Sequence, residues 1–332
     1  MNHIDQIAIA ILNYNGLGLL KQFLPHVISN SPEGKIYIID NGSSDDSIHW
    51  IKTHYPSIKI ISLDKNFGYA RGYNQGVQQI KESLICFLNN DVQVPENWLQ
   101  PILMEFDSKP QISIAQPLIL DYKKPKYFEY AGAGGGYLDF FGFPYCRGRI
   151  FNRLEKITSI DRATRSIFWA SGACFFVKKE VFEAMGGFDE NFFCYQEEID
   201  FCWRAKRYGY YTAAIGQSEV YHLGSGSAMT SARKVFYNHR NSLMMLFKNA
   251  SLSDLIVILP SRLMMDFFIG IFYLIQFKLS RFKAIIRSHW SFFRNCSIVY
   301  NKRKNLKKYP YVKHFNELSI LGIYIKEKLK TR

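Results

Sequence analysis

The chain has 332 residues, 48% of them hydrophobic and 21% charged, a composition that excludes wholesale disorder and collagen-like repeats and fits one large domain or two average ones. Its formal net charge is +14, yet residues 1–232 carry 22 basic and 24 acidic side chains while residues 233–332 carry 20 and 4. The last third therefore suits a polyanionic partner, either nucleic acid or an anionic membrane surface.

In chain order, Ile7–Leu12 reads as a buried strand, and Leu17–Ile28 follows with helical spacing. Lys35–Ile39 is a second strand, and Ser43 or Ser44 is suited to cap the next helix. Ile58–Ser62 is a third strand, Asn66–Gly72 a glycine-punctuated turn leading into a helix through Ile80, and Leu84–Leu88 a fourth strand ending in Asn89-Asn90-Asp91. Strands alternating with helices imply βαβ units and a mostly parallel sheet. Ligands of such sheets bind beyond the carboxyl ends of the strands. Here those ends carry Asn13, Asp40 and Asn89–Asp91.

Gly134–Gly136 reads as a mobile loop, Phe168–Val177 as a strand, Lys179–Met185 as a short helix and Glu197–Tyr208 as a longer one. Leu255–Leu279 is very apolar but broken by Pro260, Arg262 and Asp266, which leaves Phe267–Phe277 too short to span a bilayer as a helix. Phe282, Ile285, Ile286, His289, Phe292, Phe293 and Cys296 then share one helical face, with Lys283, Arg287 and Arg294 opposite. A polybasic tail follows. That pattern fits a basic amphipathic helix on anionic lipid, and its apolar face favours lipid over nucleic acid. None of the six cysteines forms a C-x-x-C pair, and Met1–Asn15 lacks the basic and apolar regions of a secretory signal. Free thiols and a reducing cytoplasmic compartment are expected.

Four clusters need a joint explanation: residues 36–47, residues 66–76, residues 87–92, and the segment running from Gly186-Gly-Phe-Asp-Glu through Glu197-Glu198-Ile-Asp200 to Arg204. In this order they resemble the family 2 glycosyltransferases, over roughly residues 5–250, with the texture of bacterial rhamnosyltransferase-like members. Gly68, Gly72 and Gly76 are spaced G-x-x-x-G-x-x-x-G and not as the G-x-G-x-x-G of a dinucleotide-binding dehydrogenase.

The resemblance implies an α/β fold of GT-A type: a nucleotide-sugar-binding, Rossmann-like mixed sheet flanked by helices over residues 1–250, with a helical basic extension over 251–332. It further implies an inverting, metal-dependent transferase. Asn89-Asn90-Asp91 stands where the family has Asp-x-Asp, so Asp91 becomes the main carboxylate ligand of Mg²⁺ or Mn²⁺, and Asn89 a contact to ribose or phosphate. His222 matches a histidine that reaches the metal or the diphosphate. Asp40 would recognise the nucleotide base, with Asn13 and Tyr14 in the same pocket; Asn66, Gly68, Arg71, Asn74 and Asn90 complete the donor site. Glu197-Glu198-Ile199-Asp200 replaces the family's Glu-Asp pair. Glu198 is then the base that takes the acceptor proton, beside Glu197, with Asp200 as the second candidate. The implied donor is dTDP-rhamnose or a UDP-sugar. The implied acceptor is a lipid-linked saccharide of surface polysaccharide synthesis, met at the cytoplasmic face of the bacterial inner membrane. The rival reading is a non-catalytic membrane scaffold, supported by the amide at Asn89.

Overall fold

Apolar runs unbroken by polar residues form strands here because both faces of the sheet they enter are covered. The structure is a computed structural model describing residues 7–130, 132–150, 153–224, 229–306, 310–317 and 319–320. Its elements begin β1 (Ile7–Asn13), α1 (Leu17–Ser29), β2 (Gly34–Asp40), α2 (Ser47–His54), β3 (Lys59–Ser62), α3 (Gly68–Val77) and β4 (Leu84–Asn89). There follow β5 (Val92–Gln93), α4 (Gln100–Ser108), β6 (Ile112–Asp121), β7 (Lys124–Phe128), β8 (Gly136–Asp139), β9 (Pro144–Cys146), β10 (Arg149–Ile150), β11 (Arg153–Leu154) and β12 (Arg165–Ser166). The remainder is β13 (Cys174–Lys178), α5 (Lys179–Ala184), α6 (Glu197–Arg207), β14 (Tyr211–His222), α7 (Ser231–Asn249), α8 (Leu252–Ile275), α9 (Leu279–Arg294), α10 (Cys296–Leu306) and β15 (Phe315–Glu317).

The main sheet runs β12-β14-β6-β13-β4-β1-β2-β3, with β5 on β14 and β7 on β6. β1 pairs in parallel with β2 and β4, whereas β13 is antiparallel to both β4 and β6. Alternate residues of β1 face opposite ways. Ile7, Ile9 and Ile11 pack with Leu20, Leu24 and Phe106 of α1 and α4. Ala8 and Ala10 pack with Tyr73, Phe201 and Leu243 of α3, α6 and α7. Helix α3 lies close because its glycines permit it: a Cβ at Gly72 would stand 2.9 Å from Leu12 Cδ1, and one at Gly76 would collide with Ile39. The glycine spacing thus serves helix–sheet packing.

A second sheet, β11-β10-β9-β8-β15, stands beside the first. The expected mobile loop is part of it. Gly134 and Gly135 are buried and bonded to Arg147 and Gly132, and Gly136 opens β8 against the Trp169 ring. The expected strand from Phe168 is regular only from Cys174, because Ser171 and Gly172 turn the chain along a cleft. Helix α2 starts at Ser47 with no side-chain cap. Ser43 and Ser44 instead bond Asn15, and Asp45 accepts from the Leu17 N–H and the Ser47 hydroxyl.

The largest departure concerns α8. It runs unbroken for 24 residues through Pro260 and is long and apolar enough to cross a membrane by length and composition. The two charges that interrupt the sequence pattern are buried on its inner side. Arg262 donates to the Phe141 carbonyl and lies 3.9 Å over the Phe143 ring. Asp266 receives His239 of α7 and His289 of α9 at 2.8 and 3.0 Å. The outer side is uncharged, with Ile256, Met264, Phe267, Phe268 and Phe272 exposed. Helix α9 divides its apolar residues: Ile285 and Phe292 are buried in the protein, while Ile286, Trp290 and Phe293 join the exposed side. The tail is tied back by Lys302 on Asp189, Arg303 on the Phe247 and Ala250 carbonyls, and β15 on β8. All six cysteines are free thiols.

Candidate active site

Parallel registry brings the expected polar strand ends together. Asn13 lies opposite Asp40, and Leu12 opposite Asn89. Asn13 is fully buried; its amide donates to the Ser43 and Ser47 hydroxyls at 3.2 and 3.0 Å, and its carbonyl accepts from Asn90 at 3.3 Å. Asp40 accepts the Ser43 N–H at 3.1 Å. Tyr14 projects, 46% exposed. These four residues form a polar edge beside the cleft.

None of Asn66, Gly68, Arg71 and Asn74 lines the cavity described below. Asn66 accepts from Asn41 and from the Gly68 N–H. Gly68 takes a φ of +79° directly against the Phe193 carbonyl, where a side chain would collide. Asn74 clamps the Phe188 backbone by both its carbonyl and its amide, each at 2.9 Å. Arg71 is half exposed, lies over Phe67 and is 3.7 Å from Glu190. These contacts join α3 to the segment before α6 and leave Arg71 exposed.

Asp91 and His222 are 131 positions apart in sequence and meet through strand pairing. Antiparallel β5 and β14 set His222 opposite Val92, and the Leu223 N–H bonds the Asp91 carbonyl. His222 Nε2 is then 3.1 Å from Asp91 Oδ1, and its Nδ1 is 3.5 Å from Glu129 Oε2. Burial would lower the imidazole pKa, but the two carboxylates outweigh it and raise it to about 10. Glu129 follows β7 and is as buried as its partners; a lone acid in the aromatic run Tyr127–Tyr130 is its only signal in the sequence.

Asp91 Oδ1 and His222 Nε2 stand 3.1 Å apart, the spacing of adjacent ligands on an octahedral Mg²⁺ or Mn²⁺ with bonds of about 2.1 Å, and a cation taking that place would displace the proton the imidazole holds there, since a ligand histidine is neutral. No group of three or more such side chains stands ready among the described residues. The donor set therefore fits a cation that shares its coordination with substrate oxygens, and not one held in an all-protein cage. Asn89 begins the same turn, with its N–H on the Ala173 carbonyl.

Glu197 and Glu198 line the same cavity of about 580 Å³ as Asp91 and His222. Glu197 is buried, and Glu198 is partly accessible. Desolvation raises the Glu198 carboxyl to about 7, against backbone hydrogen bonds that favour its charge. Burial, and then the Glu198 charge, push Glu197 well above the usual carboxylate range. Burial and mutual repulsion thus favour a pair that keeps a proton into the neutral range. Asp200 does not line the cavity. It is wholly buried, with Arg204 at 2.9 Å, Lys248 at 2.7 Å and Asn249 at 2.8 Å, so its oxygens are committed to the scaffold.

The chain reaches these acids through a backbone of unusual shape. Phe193, Tyr195 and Gln196 all have positive φ, 65°, 69° and 69°, at a cost of about 1–3 kcal/mol for each such residue. The conformation is held from α7. The Asn241 amide donates to the carbonyls of Phe192, Cys194 and Tyr195 at 3.0, 2.8 and 2.8 Å, and Arg240 bonds those of Asn191 and Phe192. Neither residue stands out in the sequence, where Phe236–Asn241 reads as ordinary helix.

The family model described as "Glycosyl transferase family 2" matches residues 8–186. Among curated proteins, the chain is 22% identical over 262 residues to an N-acetylglucosaminyl-diphospho-decaprenol L-rhamnosyltransferase of Mycobacterium tuberculosis, covering 73% of this chain and 84% of the relative. It is 26% identical over 207 residues to the dTDP-rhamnosyl transferase RfbF of Shigella flexneri, covering 58% and 64%. Among solved structures, GalNAc-T7 with UDP, GalNAc and Mn²⁺ superposes with a TM-score of 0.59 at 16% identity, over 75% of this chain. This chain spans about half the length of that structure, 49%. The likeness establishes a shared fold.

Asn241→Ala strips three backbone carbonyls of their donor, at a cost of about 1–3 kcal/mol. The variant should melt at a lower temperature and lose most turnover, while its nucleotide affinity, measured by calorimetry, stays within a few-fold of wild type. Unchanged turnover would mean that the Phe193–Gln196 conformation does not depend on this clamp.

Proposed function

This chain belongs to glycosyl transferase family 2 and is a glycosyltransferase of GT-A fold, and from that premise we propose that it is inverting and metal-dependent, moving a sugar from a nucleotide donor to a lipid-linked saccharide. The observation that carries this reading is one cavity lined both by Asp91 and His222 and by the Glu197–Glu198 pair, whose carboxyls burial raises above the usual range. A general base works best with a pKa near the operating pH. Rhamnose from a dTDP donor is the favoured transfer and a UDP-sugar the other choice, with a surface-polysaccharide intermediate as acceptor; two relatives are named for rhamnosyl transfer, one of them to a diphospho-decaprenol-linked sugar.

In the reaction, Glu198 accepts the proton of the acceptor hydroxyl as its oxygen bonds to the anomeric carbon. The bond from that carbon to the donor phosphate breaks on the opposite face, and the electron pair leaves with the nucleoside diphosphate. Two desolvated carboxyls side by side disfavour a double negative charge, so the pair retains one proton while its other member serves as base. Asp91 and His222 would hold Mg²⁺ or Mn²⁺, which supplies Lewis-acid stabilisation of the departing diphosphate. Glu129 holds the imidazole of His222 by its other nitrogen, as carboxylates behind ligand histidines do. Asp40, Tyr14 and Asn90 would receive the nucleoside, with buried Asn13 positioning Asn90 and Ser43 behind them.

We also propose that the exposed apolar sides of α8 and α9 lie in the interface of an anionic membrane, at its cytoplasmic face. Basic residues Lys278, Arg281, Lys283, Arg287 and Arg294 surround that surface. Helix α8 is kept from spanning by its middle, because Arg262 and Asp266 are bonded to the protein. Separating them from those partners in hydrocarbon would be costly.

Glu198→Gln should cut kcat by about 10²–10⁴-fold with donor affinity retained, and wild-type kcat/KM should rise with pH through about 7 as Glu198 loses its proton. Full activity in Glu198→Gln, measured by product formation from labelled nucleotide-sugar, would remove Glu198 as the base. Phe267→Glu with Phe268→Glu should release the protein from anionic vesicles in flotation without lowering its melting temperature, since both rings are about 60% exposed. Retained flotation would place the lipid contact elsewhere.

A further inference from the structure

Two cations face the cavity without a role in the transfer just described. Arg149 of β10 and Lys234 of α7 both line it. The Arg149 guanidinium lies 3.7 Å over the Tyr130 ring, and its Nε and Nη1 are buried without a hydrogen-bond partner among the described residues. Leaving charged donors buried and unbonded is expensive, so such a group is stable where a ligand brings the acceptor. Arg147, two positions earlier, also leaves its Nε unbonded but has a carboxylate, with Nη1 at 2.8 Å from Asp161, whereas no ion pair to Arg149 is found among the described residues. Stacking fixes the plane of the Arg149 fork, the form in which arginine receives phosphate by two parallel hydrogen bonds.

We propose that Arg149 and Lys234 form a phosphoryl subsite for the acceptor, holding the phosphate that joins its first sugar to the lipid. The proposal rests on the lipid-linked acceptor reading above. The donor diphosphate and the acceptor phosphate share the same chemistry, but the structure separates their surroundings. The donor residues sit at the ends of β1, β2, β4 and β14. Arg149 comes from the second sheet and Lys234 from α7, which packs on α8 and α9. An acceptor whose lipid lies along the outer sides of α8 and α9 reaches the cavity past α7. A phosphate held there brings the sugar hydroxyl towards Glu198.

The test uses Arg149→Gln, which keeps a planar group over Tyr130, and Lys234→Met, singly and together, in the full chain. Binding of geranyl diphosphate and of geraniol is measured with the donor site saturated by dTDP or UDP and Mn²⁺. Transfer is measured to N-acetylglucosamine diphosphate-linked to a short prenyl chain and to octyl N-acetylglucosaminide. Wild type should bind geranyl diphosphate and not geraniol, and the double variant should bind it at least about tenfold more weakly. KM for the diphosphate-linked acceptor should rise by a similar factor, the preference over the octyl glycoside should vanish, and nucleotide affinity should hold. Lys234→Met, at a partly exposed helix position, keeps the test decisive if Arg149→Gln is unstable. Unaltered geranyl diphosphate binding overturns the subsite, as does a matching loss of nucleotide affinity, which would assign both cations to the donor. If neither saccharide is glycosylated by wild type while geranyl diphosphate binding still depends on Arg149 and Lys234, the subsite stands and the N-acetylglucosamine acceptor is wrong.

Discussion

The pairing of Asp200 is the constraint on which the active site depends. Its carboxylate is fully buried, with Arg204 and Lys248 on one oxygen and Asn249 on the other. Successive helical residues turn by about 100°, so two positions apart point nearly opposite ways. Fixing Asp200 towards α7 therefore turns Glu198, two positions earlier, towards the cleft. Lys248 also binds Asp189, where Lys302 of α10 joins it. One buried ion cluster thus sets the rotation of α6, anchors the turn before it and ties down the C-terminal helices. Removing one partner from such a cluster costs about 3–5 kcal/mol, because a charge is left buried alone.

The rest of the site is set by strand register. A one-residue slip of β5 on β14 would turn His222 to the other face of the sheet, away from Asp91. Registry gives the Asp91–His222–Glu129 row, and the clamped left-handed segment gives the Glu197–Glu198 pair. Two groups of acids thus line one cavity with different environments. On one, the imidazole between two carboxylates holds a proton that a cation would replace; on the other, desolvation suppresses the charge. That difference divides the chemistry into a site that receives a leaving anion and a site that accepts a proton.

Much of this was legible in the sequence. The strands read correctly because a parallel strand covered on both faces is an unbroken apolar run, and Asn13, Asp40 and Asn89–Asp91 stand at their ends. What was not legible depends on which side of an element a residue faces. Arg262 and Asp266 looked like breaks in an apolar helix but are its buried inner side, which makes the outer side more apolar than the sequence suggests. Ile285 and Phe292 belonged by periodicity to a lipid face and are taken by the core. Asn66, Gly68 and Asn74 sit in the right motif, yet their side chains or backbone are used by Asn41, Phe193 and Phe188. Glu129 and Asn241 acquire meaning only through partners brought from 46 or more positions away.

The account centres on a carboxyl that stays protonated in weak acid and ionises near neutrality. Difference infrared titration of wild type against Glu198→Gln reads that group without any substrate. The predicted result is a protonated-carboxyl band, absent from the variant, that fades as pH rises through about 7. A Glu198 band that has already vanished at the ordinary glutamate pKa of about 4.3 would contradict it.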